Sequence, residues 1–220
     1  MMTLTSGNYY TPEANREYWS VSLFKAFDRC EAAGLAAVRG QYERPETDAL
    51  LIGSYVDAYF TGELVEFYEK YEDRMFKKNG ELYAKYEHAN KIINTVECQP
   101  LMMDFLQGEY QKIFTADLFG VPWKIKTDVY KWADKIVELV TGEVLPFYIA
   151  AVTKEPVPDV DVIQLPQSVL DTALKVVEAK IDRFDLVKMG EIPPERCGTC
   201  EYCRKTKILT EPSVFEPLEV

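Results

Sequence analysis

Along the first hundred residues, apolar side chains recur at helical spacing between caps and glycines. Residues 9–19 form a lead-in where Tyr9, Tyr10, Tyr18 and Trp19 alternate with polar residues. Ser20 or Ser22 then caps a helix through Leu23, Phe24 and Phe27 to Cys30, since a serine oxygen satisfies a free N–H of the first turn. An alanine-rich helix, Glu31–Val38, ends at Gly40, and Thr47-Asp48 caps Ala49–Phe60, which stops near Gly62. Amphipathic helices follow over 63–72 and 82–98, joined at Lys78-Asn79-Gly80, and a short helix Leu101–Leu106 ends at Gly108.

The period then changes. Glu109–Leu118 and Val121–Tyr130 predict two strands joined at Phe119-Gly120 as a hairpin. In the second, Trp123, Ile125, Thr127 and Val129 share one face, and Lys124, Lys126, Asp128 and Tyr130 the other. Lys131–Thr141 predicts a helix, Val144–Thr153 a strand buried on both faces, and Val160–Leu165 another strand. Pro166 opens a long helix to about Lys188, with Leu170, Leu174, Val177, Ile181 and Phe184 on its buried side. A loop opened by Pro193-Pro194 follows, and the tail beyond Pro212 is expected to be weakly ordered. The alternation of helical and strand patterns predicts an α+β fold in a single domain over 1–220. Its parts are a mainly helical 9–108, a sheet and long helix over 109–188, and a cysteine loop over 193–207.

Composition narrows the chemistry. A hydrophobic share of 47% with 28% charged residues is that of an ordinary globular chain. No apolar run reaches the roughly 18 residues of a membrane span, and the N-terminus lacks the pattern of a signal peptide. Both point to a cytosolic protein, where cysteines serve as ligands or core residues rather than disulfides. The net charge of −11 argues against a general polyanion-binding surface. It leaves room for a nuclease, which needs carboxylates and only a local basic groove. With one histidine, His88, chemistry falls to carboxylates, lysines or thiols.

Three thiols, Cys197, Cys200 and Cys203, stand at two-residue gaps, and a fourth, Cys30, lies near the other end. Such gaps let successive sulfurs turn onto one ion, and four thiolates complete a zinc site or hold an iron–sulfur cluster. The plainer alternative is a partial pair in a surface loop with a buried Cys30. Cys98 has no partner spacing and reads as structural. Asp57 lies four residues after Gly53, on the same helix face, among apolar neighbours. That glycine costs helix stability, which points to a close backbone approach; Asp57 alone reads rather as a surface aspartate on the polar stripe. Asp128, two residues from Lys126, is the best single candidate for a metal-binding carboxylate, with an exposed lysine–aspartate pair as the alternative. Lys124 and Lys126, and the dense patch Arg204, Lys205 and Lys207, are candidate DNA contacts.

Several stretches, in order, resemble one family. They are Ser20-Val-Ser-Leu-Phe-Lys-Ala-Phe-Asp-Arg-Cys-Glu-Ala33, Gly53-Ser-Tyr-Val-Asp57, Phe119-Gly-Val-Pro-Trp-Lys-Ile-Lys-Thr-Asp-Val-Tyr130, Leu145-Pro-Phe-Tyr-Ile-Ala-Ala-Val-Thr-Lys-Glu155 and Arg196-Cys-Gly-Thr-Cys-Glu-Tyr-Cys203. Together they resemble the phage and prophage exonucleases related to the nuclease domain of exonuclease VIII (RecE-type), within the PD-(D/E)XK superfamily. The resemblance implies an αβββαβ core with added N-terminal helices that cuts linear double-stranded DNA with magnesium or manganese. It places Asp57 at the acid of the first motif and Asp128 at the metal-binding aspartate. It also implies a [4Fe–4S] cluster on Cys30, Cys197, Cys200 and Cys203, with zinc as the alternative. A single-strand annealing recombinase and a homo-oligomeric ring are the partners it raises.

The chain departs from that pattern after Tyr130. The Asp/Glu-X-Lys and Gln-X-X-X-Tyr motifs are missing; the nearest substitute, Glu138-Leu139-Val140, has valine where lysine belongs. Losing a central strand would leave buried backbone groups unpaired at about 1–3 kcal/mol each, and a parallel neighbour needs a long crossover. Two expectations follow: a natural polypeptide with further residues between Tyr130 and Asp134, or a true deletion. The second makes the chain an inactive DNA-binding or recombination accessory module with a structural metal. A zinc-stabilised interaction protein is a third reading.

Overall fold

The computed structural model describes residues 1–43, 45–130 and 147–208. Nine helices among these residues are α1 (Pro12–Glu17), α2 (Val21–Arg29), α3 (Glu31–Val38), α4 (Asp48–Thr61), α5 (Leu64–Met75), α6 (Ala84–Glu97), α7 (Pro100–Phe105), α8 (Gln167–Met189) and α9 (Glu201–Lys205). The strands are β1 (Glu109–Tyr110), β2 (Ile113–Leu118), β3 (Val121–Lys126), β4 (Val129–Tyr130), β5 (Phe147–Val152) and β6 (Val160–Leu165). The helix expected over 131–141, the start of the strand expected over 144–146 and the tail beyond Pro212 lie outside the described residues.

Local chemistry sets the helix ends. The Ser20 hydroxyl accepts from Leu23 N–H at 3.3 Å and opens α2. Thr47 does the same for Leu50, and Gly62, at φ 79°, closes α4 in the left-handed region. Cys30 is extended (φ −168°, ψ 106°) and joins α2 to α3 as the lone residue between them. Its sulfur therefore sits at a corner.

Among the described residues two large apolar cores form. Trp19, Phe24, Phe27, Leu35, Val38, Val121, Ile181, Phe184 and Val187 bring α2, α3 and α8 onto β3. Leu51, Tyr55, Phe67, Met75, Tyr86 and Ile93 hold α4, α5 and α6 together. Trp19 runs beside β3, donating to Pro122 O and accepting from Lys124 N–H, both at 2.7 Å.

β2 and β3 form the expected hairpin, Leu118 opposite Val121. Phe119 and Gly120 both have positive φ (54° and 76°), as a tight two-residue turn between twisted strands requires. β1 pairs with β4 in the same antiparallel sense, Tyr110 opposite Val129. Between the ladders the backbone is irregular: Gln111 has φ 56°, and its N–H reaches Asp128 O at 3.4 Å. Asp128 thus stands where regular pairing is interrupted.

Five expectations change in three dimensions. Residues 9–19, read as a lead-in, contain the short helix α1. Lys124, expected to contact DNA, is 3% exposed because Tyr9 and Asn15 cover that face; its Nζ donates to Tyr9 O at 2.5 Å and Asn15 Oδ1 at 2.8 Å. The strand expected to be buried is open where described, with Phe147 50% and Ile149 41% exposed. β5 pairs antiparallel with β6, Ile149 opposite Ile163, and among the described residues neither bonds a third strand. In α8, Ile181, Phe184 and Val187 are buried while Leu174 is exposed; α2 and α3 cover only the C-terminal half. Cys98, read as structural, is exposed. No helix among the described residues is long and apolar enough to cross a membrane.

Candidate active-site cleft and thiol site

A cleft of about 610 Å³ opens between α4, α6 and α7 on one side and β3, β4 and β5 on the other. Its walls are mostly apolar; its polar lining includes Asp57, Lys126, Asp128 and Lys154. The structure thus brings together two carboxylates that lie 71 residues apart in the chain. α4 carries Asp57 and the interruption between β3 and β4 carries Asp128. The Asp57 side chain reaches solvent through the mouth of the cleft, yet surrounding protein still disfavours its charge. Its pKa is raised above the ordinary carboxylate value by burial first, then by the negative charges of Asp128 and Glu63, with Lys126 opposing. Lys126 also lies 4.7 Å from the centre of the Tyr10 ring, which favours a cation there.

Two carboxylates that line one cleft, the charge of one disfavouring that of the other, suit a hard divalent cation, which would relieve their repulsion. Magnesium keeps several waters, so two protein carboxylates suffice for a partial shell. Sequence reasoning missed Lys154, just beyond β5, whose ammonium donates to Ala49 O at 2.5 Å. The signal was the helix glycine: a Cβ on Gly53 would stand 3.2 Å from that ammonium.

The second site lies where the chain ends meet. Ligand atoms of Cys30, Cys197, Cys200 and Cys203 all fall within 4.8 Å of one another. Cys30 and Cys203 sulfurs are 3.5 Å apart, Cys197 and Cys203 sulfurs 4.0 Å. Cys200 N–H points at the Cys197 sulfur (3.3 Å) and Cys203 N–H at the Cys200 sulfur (3.4 Å). Such donors stabilise thiolates, and the Cys200 and Thr199 N–H groups hold the Cys197 thiol down at about 6. Gly198, at φ 72°, turns the loop back. The 3.5 and 4.0 Å separations bracket the roughly 3.8 Å edge of a tetrahedron built from ~2.3 Å metal–sulfur bonds. The four thiols therefore fit a metal.

Polar contacts brace this corner. Glu31, 6% exposed, accepts from Arg183 Nε at 2.7 Å and Nη2 at 2.9 Å, and from Glu195 N–H at 2.7 Å. Arg196 donates to Cys203 O at 3.1 Å and lies over the Tyr202 ring. Of the expected DNA contacts, Arg204 and Lys205 are on α9 and Lys207 just beyond it, and none of the three lines the cleft. Lys205 pairs with Glu201 at 2.6 Å.

The family model described as a PDDEXK-like domain of unknown function (DUF3799) matches residues 20–137 and 132–206. A crystal structure of a putative exonuclease from Eubacterium rectale is 36% identical, with 97% of each chain covered and a TM-score of 0.90. No curated protein matches the chain. With its helices, small antiparallel sheets and clustered cysteines, this α+β chain belongs to the family of PDDEXK-like domains and has their nuclease-like fold.

Proposed function

We propose that the protein is a metal-dependent exodeoxyribonuclease that hydrolyses linear double-stranded DNA in the manner of phage recombination enzymes. The observation that carries this reading is the meeting of Asp57 and Asp128 in one cleft with Lys126 beside them. The solved relative's name supports nuclease chemistry. A bound magnesium or manganese ion supplies a polarised phosphate and an activated water. Asp57 and Asp128 offer it oxygen ligands, and the interrupted pairing at Asp128 frees that side chain from the regular ladder. Lys126 brings positive charge to where a phosphate would enter. The resemblance alone carries the recombinase partner and the ring assembly; a thiolate site suits a reducing cytosol.

End-labelled linear duplex should be degraded with magnesium, closed circular DNA should resist, and Asp128→Asn should lower the rate at least about a hundredfold. A folded wild-type protein that binds linear DNA but leaves it intact in both magnesium and manganese overturns the enzyme reading in favour of the accessory module.

That second reading is favoured by the missing Asp/Glu-X-Lys motif. The two family matches overlap at 132–137, next to the junction where the motif is lost. An intact mass several kilodaltons above that of the 220 residues would restore the strand; a matching mass would mean that the lysine is absent. For the thiol site, an iron–sulfur cluster follows from the resemblance, while the close sulfur spacing favours zinc. Protein purified without air should be coloured in the first case and colourless, with one zinc per chain, in the second.

A further inference from the structure

We propose that Lys154 is a backbone-phosphate contact of the cleft, set one helical turn from the candidate catalytic pair by the glycine at position 53. The inference rests on the nuclease reading above and extends it to a position that neither the family motifs nor the sequence periodicity assigned.

Three observations converge. Lys154 is exposed and lines the same cleft as Asp57 and Asp128. Its ammonium has three donors, of which one is used within the described residues, by Ala49 O at 2.5 Å. Two remain for a ligand. Its backbone is held independently, because Lys154 O sits 3.0 Å from His88 Nε2 and the neighbouring Thr153 N–H donates to Asp159 O at 2.8 Å. The side chain is therefore not needed to anchor this end of the β5–β6 hairpin.

Gly53 explains how an ammonium comes so close to a helix backbone. A Cβ there would crowd Nζ at 3.2 Å, and Ala49 O already accepts within the helix. Gly53 and Asp57 share a face of α4, about 6 Å apart along its axis. A strand whose scissile phosphate lies at the carboxylates would carry its neighbouring phosphate towards Lys154. The ammonium there would bind ground state and transition state alike, lowering KM rather than raising kcat.

The test uses Lys154→Met, Lys154→Arg and Gly53→Ala in the full chain. A short blunt duplex is titrated in calcium over a salt series, and turnover is measured in magnesium. Lys154→Met should raise KM about tenfold with little change in kcat, and should reduce the slope of log K against log salt by about 0.9. Lys154→Arg should restore most of both, and Gly53→Ala should shift both in the same direction as Lys154→Met. A Lys154→Met protein that keeps the wild-type slope and KM overturns the proposal while leaving the nuclease reading intact. A folded wild-type chain that neither binds nor degrades the duplex removes the nuclease reading first, and this inference with it.

Discussion

At Asp57 the folded chain holds a carboxyl where its charge is disfavoured, by burial first and by Asp128 second. Its folded pKa is raised, so between the ordinary carboxylate value and the raised one the native state binds more protons than the unfolded state. Stability contributed by this group is thus greatest in acid and falls as pH rises through that window. Asp57→Asn should therefore make metal-free protein more stable at neutral pH. Solvent exposure limits the gain to about 1 kcal/mol, or roughly 2–4 °C in Tm. The difference should vanish below the ordinary carboxylate range, and magnesium should raise the Tm of wild type more than that of the variant. A neutral-pH melt in which the variant is less stable would show that Asp57 makes favourable bonds instead. Asp128 stood out in the sequence as an acid in an alternating stretch, whereas Asp57, isolated among apolar neighbours, read on its own as a surface aspartate. Lys124 was misread because alternation defines two faces without saying which one another segment covers. Lys154 was invisible because its meaning depends on α4 passing beside it.

Among the elements, α2 and α3 meet through a contact that has no slack. A Cβ on Gly34 would fall 2.6 Å from the Phe27 ring, itself 1% exposed. Gly34→Ala should therefore destabilise by about 1–3 kcal/mol through overpacking, although alanine is the better helix former. Urea unfolding should show a lower midpoint at unchanged m; a rise in midpoint would mean that the two helices move apart freely. Helix limits were well read from the sequence because caps are local: Ser20, Thr47 and Gly62 act within a turn of their own chain. The lower half of α8 and the open face of β5 were not. Whether Leu174 or Ile149 is covered depends on how far α2, α3 and neighbouring strands extend, which no periodicity contains.

At the scale of the whole molecule, the thiol site and the Glu31–Arg183–Glu195 network close the same loop between distant parts of the chain. In protein loaded with metal at the four thiols, a chelator should lower Tm while leaving the helical circular dichroism largely in place, because the network still ties α3 to α8. Glu31→Ala should lower the Tm further, because the buried carboxylate that joins Arg183 to the Glu195 N–H is lost while the exposed Arg183 keeps Glu195 at 3.0 Å, and chelation of that variant should unfold it. Retained structure in the chelated variant would show that apolar packing of Phe27 against Phe184 suffices. The β5–β6 ladder has a further consequence for the protein in concentrated solution. Neither strand has a third neighbour among the described residues, and Phe147, Ile149 and Ile163 are exposed. Such a ribbon is a template onto which another copy can add its own strand. At neutral pH the charge of −11 keeps copies apart. Near the isoelectric point of about 4.7 that repulsion vanishes, so acidification should produce scattering particles with the infrared signature of intermolecular β-structure before the helices are lost. Among the described residues it is charge, and not closure of the sheet, that opposes this addition.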